Sequence, residues 1–122
     1  MTLRELYSEI GGDYDKAVRV MRMDKLIDKH IRRFPGDGVA EQFFQAAESM
    51  DPERLFEAAH AMKGVCANLG LTALSETASE IAEEFRPGSR RKLSDGQVSE
   101  RIAKIRELYS RTVEGIQKYA ED

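Results

Sequence analysis

Tryptophan is missing from this chain of 122 residues, cysteine occurs once, histidine twice and proline three times. One cysteine excludes an internal disulfide and any centre built from several thiolates. With so few prolines, no low-complexity tract and no repeat of solenoid length, neither a disordered segment nor a repeat array is expected. Positive charge is not in excess, with 19 Lys and Arg against 22 Asp and Glu. The formal net charge is −3 and the pI about 5.5, which leaves no general basic field for nucleic acid or an anionic membrane. No apolar run reaches the roughly 18 residues of a membrane span and nothing resembles a signal peptide, so a cytoplasmic location without membrane contact is expected. A Gly-rich phosphate loop and a kinase-like motif set are both missing, so the chain has no evident means of orienting a nucleotide.

What is present is helical periodicity. The composition, 41% hydrophobic and 34% charged, is that of an ordinary globular domain, and the length suits one domain over 1–122. Thr2 with Glu5 forms a capping box for a short helix ending at Gly11-Gly12. Asp13 is expected to cap a second helix presenting Tyr14, Ala17, Val18 and Met21, and Asp24 a third presenting Ile27, Ile31 and Phe34. Asp37 opens a helix through Phe43, Phe44, Ala47 and Met50, and Asp51-Pro52 supplies the cap and first-turn proline of the next. That helix runs to about Leu69, where Gly70 suits a left-handed cap. Leu71, Leu74, Ala78, Ile81 and Phe85 mark a return helix broken by Arg86-Pro87-Gly88. After the loop "RPGSRRKLS", Ser94 and Gln97 cap a long last helix outlined by Val98, Ile102, Ile105, Tyr109, Val113, Ile116 and Tyr119. The fold class is therefore all-α: an antiparallel four-helix bundle with its core in about 37–120, preceded by short N-terminal capping helices.

The segment "AAHAMKGVCANLG", residues 58–70, departs from a plain alanine-rich helix by a histidine, a lysine and a glycine. With Leu55 as zero, Leu55, Ala58, Ala59, Met62, Val65, Cys66 and Leu69 fall within roughly 280° to 40°, an apolar stripe as wide as a bundle core requires. His60, Lys63, Gly64 and Ala67 fall between roughly 80° and 180°, on the opposite surface. His60 thus points at solvent, and Lys63 at i+3 would stabilise an anion placed on its ring. Gly64 costs roughly 0.5 to 1 kcal/mol against alanine in a helix interior, and core packing does not account for it on this face. A nucleophile, a cation and a cleared space suit phosphoryl transfer, which rests on positioning and on neutralising spread oxygen charge.

"HAMKGVCANLG" resembles the H-x-x-K-G core of the histidine-containing phosphotransfer (HPt) domains of multistep two-component signalling, and the resemblance extends to the order of helices. It implies that His60 is phosphorylated on Nε2, that Lys63 holds the phosphoryl oxygens and that Gly64 leaves room for a partner's active site. The implied partners are receiver domains of response regulators or hybrid histidine kinases, whose own acidic pocket supplies Mg²⁺. The implied role is that of a phosphocarrier without autokinase activity, cofactor or metal; the sequence leaves the oligomeric state open, with a monomer as the default. Many members place a polar side chain on the following helix within reach of the histidine. An ungapped count puts that position near Ala82, and Arg86, one turn on, is the nearest cation for phosphate or partner binding.

Other candidates read differently. Glu57 and His60 have the E-x-x-H spacing of di-iron bundles, but His30 has Ile27 three positions before it, so the second half of such a site is missing. His30 flanks an apolar stripe and is expected to be a partly buried structural residue. Cys66 lies on the buried stripe as a small hydrophobe. Arg90, Arg91 and Lys92 read as a solvated charge run. The alternative to phosphotransfer is a non-catalytic helical adaptor whose small-residue face docks a partner helix or domain.

Overall fold

Four helices begin where the chain supplies a side-chain acceptor for their free N–H groups. In the computed structural model, which describes residues 1–122, α1 (Leu3–Ile10) starts on the Thr2–Glu5 capping box and α2 (Tyr14–Met21) on Asp13. Further along, α5 (Pro52–Asn68) starts on Asp51 with Pro52 in its first turn, and α7 (Asp95–Glu121) on the Ser94–Gln97 box. In three others the N-cap residue itself offers no side-chain acceptor: α3 (Asp24–Arg33), α4 (Val39–Ser49) and α6 (Thr72–Glu84). The sequence places caps at Asp24 and Asp37, and both are corrected by one residue. Met23 is the cap of α3, because the Asp24 carboxylate accepts the Tyr14 hydroxyl instead. Gly38 caps α4, while Asp37 still accepts the Val39 N–H at 2.9 Å. A single 3₁₀ turn, Phe34–Gly36, links α3 to this start.

All regular structure is helical, and the helices enclose one core of 26 buried apolar side chains drawn from α1 to α7. Helices α5 and α6 form a hairpin across Gly70 and Leu71, α4 packs on α5, and α7 packs on α6. The hairpin register is marked by the Ser75 hydroxyl, which donates to the Lys63 carbonyl at 3.1 Å. Every return-helix position expected inside, Leu71, Leu74, Ala78, Ile81 and Phe85, is buried. Met50 is the exception in α4. Its backbone takes the left-handed cap, φ 53°, which turns the side chain out of the helical stripe into solvent.

The N-terminal helices cover the turn of this hairpin. Helix α1 packs on α7 and α2 on α5. Tyr7 donates its hydroxyl to the Leu69 carbonyl at 2.6 Å, and the Asp13 N–H reaches the Gly70 carbonyl at 2.7 Å. Gly70 is required twice over: its φ is +71°, and a Cβ would lie 2.3 Å from the Asp13 carbonyl oxygen. The end of α5 is thereby fixed from outside the bundle.

The loop after α6 is held by a buried carboxylate. Glu84 accepts from Arg91 Nε at 2.5 Å and from the N–H groups of Lys92 and Leu93 at 3.1 and 3.0 Å. Arg91 stays exposed, as the charge run predicts, but it is ion-paired as well, and its guanidinium lies 4.4 Å from the Phe85 ring centroid. Burial opposes ionisation of Glu84, but the Arg91 hydrogen bond and the two backbone donors outweigh it and hold the carboxyl below its ordinary range. A depressed pKa contributes stability above the unfolded-state value, and that contribution is lost as pH falls through the folded-state one. Glu84→Gln is accordingly expected to lower unfolding free energy by about 1 to 3 kcal/mol at neutral pH. The deficit should shrink as pH falls from roughly 4.5 through the lower folded-state value, where the wild-type carboxyl protonates as well. Urea melts of both proteins at pH 7 and at acid pH read this, and a deficit that persists unchanged into acid would contradict it.

Candidate functional site

The stripe predicted for α5 divides the helix as expected. Leu55, Ala59, Met62 and Cys66 are fully buried, and His60 and Gly64 are exposed on the other side. Lys63 and Ala67 are half-buried beside them. Around Gly64 the space is open: a Cβ built there meets nothing within 4 Å. The imidazole, the ammonium stem and the clearing thus share one face of a helix whose interior side is locked into the core. Burial pushes the Cys66 thiol up to about 12, which suits a hydrophobe and removes it from nucleophilic chemistry.

Two residues not singled out in the sequence complete the face. Phe56, half-buried one turn before His60, stacks on the imidazole with ring centroids 5.6 Å apart and an interplanar angle of 19°. Glu83 comes from α6, and its carboxyl is held below the ordinary range by the Arg86 hydrogen bond, with the charges of Lys63 and His60 acting in the same direction. The i−4 spacing of an aromatic before the histidine was a readable signal for Phe56. Glu83 had none, because its approach to Lys63 depends on the α5–α6 register.

The other α6 positions depart from expectation. Ala82, the ungapped counterpart of the family's polar residue, is 1% exposed and belongs to the core, so no substituent there could reach an outward-facing histidine without entering the bundle. Arg86 is brought to this end of α5, where its guanidinium lies 5.7 Å from the Phe56 centroid, but it is not a free cation. It donates to both oxygens of Glu83, at 2.5 and 3.2 Å. Lys63 is in no ion pair, and it is the available positive charge beside His60.

His30 corrects the sequence reading as well. It is exposed in the last turn of α3, where a basic side chain is favoured by the helix dipole, and it is far from burial. No group of three or more His, Cys, Asp or Glu side chains comes together to hold a metal ion, so Glu57 and His60 gain no further ligands. No helix is long and apolar enough to cross a membrane.

The family model described as the Hpt domain matches residues 25–115, from within α3 to within α7. Neither the curated proteins nor the solved structures give a match to the chain.

Proposed function

The chain belongs to the Hpt domain family, and from that premise we propose that it is a phosphocarrier which takes a phosphoryl group from a receiver-domain aspartate onto His60 and passes it to another. One observation carries the assignment to His60. It is an exposed imidazole on a helix locked to the core, with the unpaired Lys63 on one side and the vacant space of Gly64 on the other.

In the forward step the Nε2 lone pair attacks the phosphorus of an aspartyl phosphate. An N–P bond forms, the P–O bond breaks and the aspartate leaves as a carboxylate. The ring proton stays on Nδ1 during attack and can be lost to water afterwards. Lys63 balances charge on the three phosphoryl oxygens, and Gly64 lets the partner's rim come down on the helix. Arg86 would join them only by leaving Glu83, and its contribution is correspondingly the smaller. The reverse sequence returns the group to a carboxylate without any nucleotide.

The rest of the molecule serves that role. We read 1–122 as a single domain in which α4 to α7 form the antiparallel four-helix bundle, supported by the successive packing of α4 on α5, α5 on α6 and α6 on α7. We place the protein in the cytoplasm as a monomer with receiver domains as its partners.

The test is incubation with a panel of phosphorylated receiver domains, reading label on this protein that is labile to acid and stable to base, as expected of phosphohistidine. A panel that leaves the protein unlabelled argues for the adaptor reading. ATP with Mg²⁺ alone is expected to transfer nothing, since no phosphate-binding loop is present. Radiolabelling to near stoichiometry from ATP would overturn the carrier assignment in favour of a kinase.

A further inference from the structure

A surface histidine normally has several side-chain orientations, and nucleophilic groups are usually oriented by a hydrogen-bonded neighbour. His60 has no such neighbour: its imidazole makes neither a hydrogen bond nor an ion pair within the protein, and Ala82 lies in the core. The group that can fix its plane is Phe56. The two rings are nearly parallel at 19° and 5.6 Å, within the range of offset stacking, and Phe56 is itself half-buried and so restrained. The Arg86 guanidinium, clamped by Glu83, lies 5.7 Å from the same phenyl centroid and adds to that restraint.

We propose that Phe56 is the positioning residue of the phosphoacceptor: its ring holds the His60 imidazole plane so that one edge, carrying Nε2, is presented to the incoming phosphoryl group. This rests on the phosphocarrier reading and specifies how that site is ordered without a hydrogen-bonded orienting partner. Attack at phosphorus needs the nitrogen lone pair in line with the breaking P–O bond, and an error of about 1 Å costs on the order of 100-fold in rate. A docked receiver imposes this geometry. A small phosphodonor does not, because it approaches the ring from whichever direction the ring faces.

The experiment uses the full chain, a receiver domain charged with acetyl phosphate that labels the wild type, and phosphoramidate as the small donor. Phe56→Leu keeps an apolar side chain but removes the plane, Phe56→Ala removes both, and Phe56→Tyr restores the plane. Single-turnover transfer at saturating receiver is expected to fall roughly 10- to 100-fold in the leucine and alanine variants, with half-saturation within about threefold of wild type. The tyrosine variant should recover most of the rate. Labelling by phosphoramidate should be nearly unchanged in all three. The His60 ring protons, shifted upfield by the phenyl ring current in the wild type, should move downfield in the leucine variant alongside an otherwise unchanged amide spectrum.

Transfer at the wild-type rate in Phe56→Leu overturns the proposal. A rise in half-saturation alone also overturns it, because Phe56 would then be a docking residue. An equal loss with phosphoramidate overturns it too, since the effect would lie in the imidazole's reactivity and not in its orientation. If no charged receiver labels the wild type, the carrier reading fails, and this inference falls with it.

Discussion

His60→Gln is expected to reduce phosphate uptake from a charged receiver to background, a loss of the whole signal, while leaving the unfolding free energy within about 0.5 kcal/mol of wild type. The two halves of this expectation have separate causes. Glutamine has no nucleophilic ring nitrogen, so no N–P bond can form. The fold is indifferent because the side chain is exposed, makes no protein hydrogen bond and leaves no buried partner unsatisfied. His30→Gln is the internal control. It removes the other imidazole, also exposed, from a different helix, and full uptake should persist. Residual labelling of the His60 variant with phosphohistidine chemistry would move the acceptor elsewhere in the chain. A variant that melts far below the wild type would show that the imidazole is structural.

Gly64→Gln should move stability and function in opposite directions. An alanine at this position gains roughly 0.5 to 1 kcal/mol over glycine in an exposed helix interior, and the backbone φ is not one that opposes an L residue. Since a Cβ here touches nothing within 4 Å, no clash offsets the gain. Glutamine should stabilise slightly less than alanine. Its longer side chain, however, stands one turn from His60 in the space the partner needs, and displacement of the reacting atoms by about 1 Å would slow transfer on the order of 100-fold. The variant should therefore melt higher and transfer more slowly, with Gly64→Ala intermediate in rate. Thermal melts paired with single-turnover transfer for the three proteins read both effects. Wild-type transfer by Gly64→Gln would remove the steric reason for the glycine and favour the adaptor reading.

The features that were legible in the sequence are those whose physics is confined to a few consecutive residues or to one helical period. Both capping boxes, the Asp13 and Asp51 caps and the Gly70 turn involve groups only a few positions apart. The division of α5 into buried and exposed faces follows from its period alone. Misreadings arose where a distant group competed. Tyr14 claims the Asp24 carboxylate that would otherwise cap α3, and Glu84 pairs with Arg91, an ion pair that the charge run by itself does not announce. Met50 obeys the helical period until its own left-handed backbone breaks it. At the site, an ungapped count along the chain reached Ala82, but which α6 residue approaches α5 is decided by the hairpin register seen at Ser75 and Lys63, and there the polar neighbour is Glu83. Phe56 was not singled out, although at about 100° by the same count it shares the face of His60. Its stacking depends on two side-chain rotamers, which helical periodicity does not encode.

The buried thiol of Cys66 lies on the core side of the helix that carries His60. A thiol is alkylated as its thiolate, and the folded protein withholds both the thiolate, by a pKa pushed up to about 12, and access to the sulfur. Reagent can reach it only when α5 separates from its neighbours, so the alkylation rate is a clock for those openings. The chain has no other cysteine to obscure it. The clock needs no engineered label, and under the proposed carrier function it can be run on the wild-type protein with His60 free, charged or covered by a partner, to read whether each state changes how often the helix beneath His60 opens.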